Sequence, residues 1–257
     1  MAQGFRIPEI MELVRAQGRV TVEELAARFG VTAQTIRRDL AELDEAGKLE
    51  RVHGGAILRS GTVNIGYHER ASLNAEAKRA IAEACAAEIP EGASVFLAIG
   101  TTTEAVARAL TRHAGLMVVT NNLNIANILA ENPACQVIVT GGTLRRSDGG
   151  LTGPLTEAAI RHFKVDIAVI GCSALDAEGD MLDYDIHEVG VSQALIRQAR
   201  KAWLVTDHSK LSRTAPARIE SLAVLDAVFT DRALPEPMAA RCAQWQTRVV
   251  CGRQGRQ

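Results

Sequence analysis

The chain has 257 residues, of which 47% are hydrophobic and 23% are charged, and its formal net charge is −1. This balance excludes an intrinsically disordered protein, and the length favours one large domain or two unequal ones. The five cysteines are scattered without a Cys-x-x-Cys pair, which argues against a disulfide framework or a zinc finger. There is no signal-peptide pattern and no apolar run of about 18 residues, so we expect a cytoplasmic protein without a membrane segment.

The first predicted element is a helix. The apolar residues that recur at helical spacing are Ile7, Ile10, Met11 and Val14. We expect Pro8 in the first turn of this helix, where its missing amide proton costs nothing, and Gly18 at its end.

Two further helices follow with a tight turn between them. Thr21 and Glu24 have the spacing of a capping box in front of an apolar stripe, and Gly30 ends this second helix. Thr32 is the candidate N-cap of a third helix that runs to about Ala46. The pattern is that of a helix-turn-helix.

A small hairpin and a linker come next. The string "KLERVHGGAI" alternates apolar and polar residues around two glycines, which predicts a β-hairpin, or wing. We therefore assign residues 1–57 to a winged helix-turn-helix domain. Residues 58–73 show little periodicity, and we assign them to an interdomain linker.

The remainder, residues 74–257, alternates helical patterns with short apolar runs. The runs are "SVFLAI", "LMVVT", "CQVIVT", "IAVIGCS" and "KAWLVTD". Unbroken apolar strands with helices between them predict a parallel sheet covered on both faces. The second domain is therefore predicted to be a Rossmann-like α/β domain.

The third helix has side chains suited to reading DNA. Gln34, Arg37 and Arg38 lie on the face opposite its apolar residues, and arginine and glutamine can each pair with base edges in the major groove. In the wing, basic side chains and glycine amides can approach phosphates. The residues expected to contact DNA are Thr32, Gln34, Thr35, Arg37, Arg38, Arg51, His53 and Gly54.

Composition does not distinguish this hypothesis from a simpler one. The first sixty residues hold nine Lys and Arg against nine Asp and Glu, so no basic domain is evident. Arg37 and Arg38 could instead solvate one face of a helical bundle, with Arg38 pairing to Glu42 at i+4.

Polar loops follow several predicted strands of the second domain. Because ligands bind at the carboxyl ends of parallel strands, we expect these loops to form a pocket for a phosphorylated polyol. The candidate residues are Gly100, Thr101, Thr102, Asn121, Asn122, Gly142, Arg145, Asp185, Glu188 and Lys210. The simpler alternative is that Gly-Thr-Thr is only a helix cap and Asn-Asn only a turn.

The string "VTVEELAARFGVTAQTIRRDLAELDEAGKLERVHGGA" resembles the N-terminal domain of the DeoR-type bacterial transcriptional regulators. The strings "TVNIGYHER", "TNNLNIANIL", "RRSDGGLTG", "DYDIHEV" and "VTDHSKLSR" are similar to their sensor domain, particularly in the branch that controls glycerol-3-phosphate regulons. The resemblance implies a repressor that binds operator DNA as a homo-oligomer, dimer or tetramer. Its effector would be glycerol 3-phosphate or a sugar phosphate, and its sensor fold would be related to sugar-phosphate isomerases.

Two positions depart from the pattern of the family. Related repressors usually have an acid where this chain has Ala98, and a lysine near Gly190 and Ser192. Losing positive charge beside a phosphate should weaken binding or change the ligand.

The alternative function is enzymatic: a sugar-phosphate isomerase or deaminase that carries a helix-turn-helix. Asp183, Asp185 and Glu188 could act as bases, but the chain reads "GCSALD" where the isomerases have an acidic strand end. Carboxylates also accept hydrogen bonds from ligand hydroxyls. We therefore expect no enzyme, no cofactor, no metal site and no catalytic residue.

Overall fold

The computed structural model describes residues 3–52, 54–58, 64 and 66–252. Its N-terminal part contains three helices and three short strands, arranged as a winged helix. The helices are α1 Gln3–Gln17, α2 Val22–Phe29 and α3 Ala33–Glu45, and the strands are β1 Arg19–Thr21, β2 Leu49–Val52 and β3 Gly55–Leu58. Their apolar faces form a core of their own. The predicted helix-turn-helix and wing are both confirmed.

The predicted caps account for the ends of α2 and α3. Thr21 and Glu24 form the capping box, each accepting a hydrogen bond from the other's backbone amide through its side chain. Thr32 caps α3 by accepting from the amide of Thr35. One local expectation was wrong: α1 begins at Gln3, so Pro8 lies inside the helix and not in its first turn.

The wing belongs to a sheet that the sequence did not fully predict. Strand β3 lies between β1 and β2 and is antiparallel to both. Gly55 allows β3 to approach β1, because a Cβ there would lie 2.0 Å from the carbonyl oxygen of Val20.

The segment assigned to the linker contains one further helix, α4 Tyr67–Ser72. This six-residue helix lies between the two parts of the chain. Its side chains contact both of them, as shown below.

The C-terminal part is built around a sheet of seven parallel strands within residues 66–252. The strands are β4 Ser94–Leu97, β5 Met117–Thr120, β6 Gln136–Val139, β9 Val165–Ile170, β12 Ala199–Val205, β14 Ala227–Thr230 and β15 Arg248–Cys251. The smaller strands are β7 Thr143–Arg145, β8 Gly150–Thr152, β10 Ala174–Leu175, β11 Asp180–Asp183 and β13 Ala217–Ser221. Strands β14 and β15 and the smaller strands were not predicted from the sequence.

Helices cover both faces of the sheet, as predicted. They are α5 Ala75–Ala87, α6 Thr101–Ala109, α7 Leu123–Leu129, α8 Pro154–Ile160, α9 Ile186–Gln198 and α10 Glu236–Trp245. Along β4, Val95 and Leu97 pack in the core beneath α5 to α7, while Phe96 packs in the core beneath α8 to α10. Within the described ranges, the helices are too short or too polar to cross a lipid bilayer.

The order of the strands determines where a ligand can bind. The sheet has the order β15-β14-β12-β9-β4-β5-β6, so the chain extends to one side from β4 and then to the other side from β9. Neighbouring loops at such a switch point diverge and leave a crevice at the carboxyl ends of the strands. The crevice of this sheet lies beside β4 and β9.

Candidate functional site

The outer face of α3 is accessible. Gln34, Arg37 and Arg38 are exposed, and neither arginine forms an ion pair with any residue that the structure describes. The alternative pairing of Arg38 with Glu42 is therefore not observed. The Thr32 and Thr35 hydroxyls lie 3.0 Å apart in the cap, which gives both threonines a structural role.

The wing presents part of its predicted surface. Arg51 is exposed on β2, and Gly54 is exposed with a φ of +78°, a left-handed conformation that favours glycine. His53 lies outside the described residues.

A buried ion pair holds α3 against α1. The guanidinium of Arg6 donates from Nε to Asp39 Oδ2 over 2.7 Å and from Nη2 to Oδ1 over 3.2 Å. Both side chains are nearly inaccessible, and the hydrogen bonds to Asp39 raise the pKa of Arg6. The orientation of α3 is thus tied to α1 by a bidentate contact.

The crevice at the carboxyl ends of β4 and β9 contains a small cavity, which we call the inner cavity. Its volume is about 40 Å³. It adjoins an outer cleft of about 310 Å³, and Arg70, Asp183 and Glu188 line both spaces. The inner cavity holds a few water-sized groups, so a larger ligand must extend into the outer cleft.

Two cations line the inner cavity. Lys210 follows β12, and its ammonium forms no hydrogen bond or ion pair with the residues that the structure describes. Burial lowers the pKa of Lys210 to about 8. Arg70 on α4 has a buried Nε without a hydrogen-bond partner in the described structure. Buried charge of this kind is costly unless an anion compensates it.

The N-terminus of α6 lies at the same cavity. Gly100 precedes the helix, and no side chain of the described residues caps its first turn. The Thr103 hydroxyl donates back to the carbonyl of Gly100, whereas Thr101 and Thr102 line the cavity. Free amides at the positive end of a helix dipole add to the attraction for an anion.

Hydrogen-bond acceptors also line this space. Asn121 donates from Nδ2 to the carbonyl of Leu151, but its buried Oδ1 has no partner among the described residues. Burial raises the pKa of Glu188 to about 7, with a further contribution from Asp183 and an opposing one from Arg145. Acceptors beside cations suit a ligand with both hydroxyl groups and an anionic group.

Arg145 lies in the outer cleft and is already neutralised. It donates to Asp148 from Nε and Nη2, over 2.9 Å and 2.7 Å, and from Nη1 to Asp185 and Glu188 over 2.7 Å each. Burial alone would lower the pKa of Arg145, but the hydrogen bonds to Asp148 and Glu188 outweigh this effect and raise the pKa. Arg145 therefore organises three carboxylates and has little charge left for a phosphate.

The structure brings most of the predicted effector residues together. Those at the inner cavity are Gly100, Thr101, Thr102, Asn121, Glu188 and Lys210, and those at the outer cleft are Arg145, Asp185 and Glu188. Two predicted residues line neither space: Asn122 caps α7, and Gly142 packs against Thr156. Asp185 also caps α9.

Three cations of this region were not predicted from the sequence: Arg70 at the inner cavity, and Lys78 and Arg213 near Asp207. Burial alone would raise the pKa of Asp207, but Lys210 and the Ser209 hydroxyl lower it to about 2. Burial lowers the pKa of Lys78 to about 8 and also lowers that of Arg213. The one local feature that could have identified Lys78 is its place on the otherwise apolar, buried face of α5.

Both departures from the family pattern lie at this site. Ala98 and Ser192 line the inner cavity, and each is more than nine-tenths buried. Gly190 lies on the same helix as Ser192, beside the carboxylate of Glu157. The two changes therefore alter the wall of the cavity.

The C-terminal end of α1 contacts the α/β domain beside this site. Arg213 Nη2 donates to the carbonyl of Arg15 over 3.0 Å, and Asn74 Nδ2 donates to that of Ala16 over 2.8 Å. The Ser212 hydroxyl donates to the carbonyl of Gln17 over 3.3 Å. The last carbonyls of a helix lack partners within the helix, and here the other domain supplies them.

Comparison with known proteins assigns both parts of the chain. A model of the DeoR-like helix-turn-helix domain matches residues 6–62, and a model of the DeoR C terminal sensor domain matches residues 73–232.

The relatives of this chain are similar over nearly their whole length. The glycerol-3-phosphate regulon repressor of Escherichia coli is 45% identical over 91% of this chain and 93% of the relative. That of Haemophilus influenzae is 42% identical over 97% of each chain. The transcriptional repressor CsqR of Escherichia coli is 37% identical over 95% of this chain and 94% of the relative.

Among solved structures, ribose 5-phosphate isomerase A of Methanocaldococcus jannaschii overlaps with a TM-score of 0.40 at 13% identity. That overlap covers 54% of this chain and 55% of the isomerase, which is too little to support any conclusion about activity.

Proposed function

The chain belongs to the DeoR family of transcriptional regulators, and from that premise we propose that it represses transcription by binding operator DNA until a small phosphorylated metabolite releases it. The observation that carries the effector half of this proposal is the inner cavity. There, the ammonium of Lys210, which has no hydrogen bond or ion pair to the described residues, and the N-terminus of α6 line the same space as the carboxylates of Asp183 and Glu188.

On the operator side, α3 is the recognition helix. Arg37 and Arg38 are exposed and unpaired in the described structure, so base contact sacrifices no existing ion pair. Thr35 and Gln34 precede them in the first turns, the part of a recognition helix that reaches base edges. One such helix makes few base contacts, so we propose a homo-oligomer, dimer or tetramer, that reads repeated half-sites.

For the effector we propose glycerol 3-phosphate, with other sugar phosphates as competitors. Its phosphate would occupy the inner cavity beside Lys210 and the amides of Thr101 and Thr102. Its hydroxyls would point to the outer cleft, where Asp183 and Glu188 can accept hydrogen bonds. The relatives above that are glycerol-3-phosphate regulon repressors support this choice.

Coupling between the two sites follows a short path. The 3₁₀ helix His208–Ser212 carries Lys210, and Ser212 and Arg213 at its end hold the carbonyls of α1. Helix α1 holds the recognition helix through Arg6 and Asp39. A ligand that moves Lys210 therefore acts on an element that contacts α1. The ligand must bind the DNA-incompetent arrangement more tightly, and the coupling is reciprocal.

The test is a calorimetric titration of the full chain with glycerol 3-phosphate and a panel of sugar phosphates, while product formation is followed in the same samples. Binding without turnover, together with release of operator DNA in a mobility-shift assay, would support a sensor. Turnover would favour an isomerase instead, for which the raised pKa of Glu188 would suit a general base. No binding across the panel would refute the proposed ligand class.

A matched pair of variants tests the role of Lys210. Lys210→Ala should still bind operator DNA but should no longer release it on addition of glycerol 3-phosphate. Arg79→Ala removes an exposed cation from α5 that contacts only neighbouring glutamates in the described structure, and it should respond like the wild type. Unaltered release in Lys210→Ala would refute Lys210 as an effector contact.

A further inference from the structure

We propose that Arg70, on the helix that connects the two domains, binds the anionic group of the effector together with Lys210. This inference rests on the proposed function and extends the site to α4, which belongs to neither of the two predicted domains. The ligand class that it implies is a small phosphorylated or otherwise dianionic metabolite.

The charge of Arg70 is poorly compensated within the described structure. Its one ion pair in the described structure is to Asp148 Oδ2, at 3.4 Å. Asp148 also accepts two shorter hydrogen bonds from Arg145, so Arg70 shares this carboxylate with a second guanidinium. The Nε of Arg70 is buried and has no partner among the described residues. A guanidinium in this condition gains most from an added anion.

The position of Arg70 allows it to share a ligand with Lys210. Arg70 and Lys210 line the same inner cavity although 140 positions separate them in the chain. The cavity is only about 40 Å³ in volume, so a phosphate inside it lies close to both cations. A planar guanidinium and a point-like ammonium on one phosphate provide bidentate geometry and charge together.

The backbone of Arg70 is held firmly by its neighbours. The ammonium of Lys78 donates to the carbonyls of Arg70 and Leu73. Tyr67, one turn earlier, donates its hydroxyl to the carboxylate of Glu104 over 2.9 Å. These contacts attach α4 to the α/β domain, so Arg70 is already positioned when a ligand arrives.

Helix α4 also contacts the DNA-binding domain. Glu69, next to Arg70, forms an ion pair with Arg15 of α1 at 2.8 Å. A ligand that bridges Arg70 and Lys210 therefore joins two segments, α4 and the 3₁₀ helix His208–Ser212, and both segments contact the end of α1. Arg70 is accordingly expected to affect both effector affinity and operator release.

The experiment compares Arg70→Gln, Arg70→Lys and the wild type by calorimetry with glycerol 3-phosphate, inorganic phosphate and glycerol. Arg70→Gln should bind the two phosphates at least tenfold more weakly, and Arg70→Lys should recover part of this loss because it keeps the charge. Glycerol, which lacks the anion, should not distinguish the three proteins. Arg79→Gln, which removes an exposed arginine, should match the wild type.

The outcomes separate this inference from the proposed function. Unchanged phosphate affinity in Arg70→Gln, beside a wild type that binds, would overturn the role of Arg70 alone. Failure of the wild type to bind any phosphate would overturn the proposed function and this inference with it. If Arg70→Gln and Arg70→Lys both melt well below the wild type and bind phosphate equally poorly, Arg70 is a structural residue and the inference is wrong.

Discussion

Replacing Gly18 with alanine should uncouple the effector from the operator. Gly18 follows α1 with a φ of +76°, and a Cβ there would lie 1.7 Å from the hydroxyl oxygen of Ser212 and 2.9 Å from the carbonyl oxygen of Ser209. The second atom is backbone, so the added methyl must push the 3₁₀ helix His208–Ser212 away from α1. That displacement breaks the hydrogen bond from Ser212 to Gln17.

Gly30 provides the matched control. It follows α2 with a φ of +62°, and a Cβ there would meet no atom of the described residues within 4 Å. Both substitutions therefore cost the left-handed strain of about 1–2 kcal/mol for a residue with a Cβ. Only Gly18→Ala also loses the interdomain hydrogen bond, about 0.5–1.5 kcal/mol, and strains the neighbouring contact from Arg213 to the carbonyl of Arg15.

The quantity to measure is the ratio of operator affinities without and with saturating glycerol 3-phosphate, by fluorescence anisotropy of labelled operator DNA. An excess loss of about 1 kcal/mol in Gly18→Ala lowers this ratio roughly fivefold relative to Gly30→Ala. Melting curves of both variants should show a similar loss of stability in the DNA-binding domain. Equal ratios in the two variants would refute transmission through the end of α1.

Three further predictions concern the operator, the charge of the cavity and the anchor of α3. Arg37→Ala should weaken operator binding by about 1–3 kcal/mol if Arg37 reads a base. An unchanged affinity in the anisotropy assay would show that Arg37 does not contact the operator. Effector affinity should fall as pH rises through 8, because Lys210, whose pKa burial lowers to about 8, loses its charge. Lys210→Arg should bind up to higher pH in the same calorimetric series, and identical profiles would contradict this assignment. Asp39→Asn should destabilise the DNA-binding domain by about 1–3 kcal/mol in urea unfolding, because the buried guanidinium of Arg6 loses its contact with the carboxylate of Asp39, while calorimetric effector affinity should not change.

Much of the fold could be predicted because its signals are local. The capping box of Thr21 and Glu24 and the cap at Thr32 each lie within four residues of chain, and both form as predicted. The apolar runs that predicted the first five strands of the large sheet are equally short. Helix periodicity, capping and strand length are properties of a few neighbouring residues, so they can be predicted from the sequence alone.

The predictions that missed were those in which tertiary contacts override local pattern. Pro8 was placed in a first turn because proline is favoured there, yet α1 starts five residues earlier. Residues 58–73 were assigned to the interdomain linker, and the helix α4 within that segment was not predicted from its weak periodicity. Helix α4 contacts Glu104, Lys78 and Arg15, which lie 8 to 54 positions away in the chain. A six-residue helix has too few turns to show a period, and its stability comes from these distant contacts.

By itself, the sequence determined the family, the helix-turn-helix and several of the loops that line the inner cavity. Only the tertiary structure decided which cations in and near those loops lack full compensation by carboxylates. Arg145 looked like a phosphate ligand, but carboxylates 3, 40 and 43 residues away neutralise it. Lys210 and Arg70 are left without full compensation at one cavity. Charge compensation depends on distance in space, and folding sets those distances between residues that are far apart in sequence.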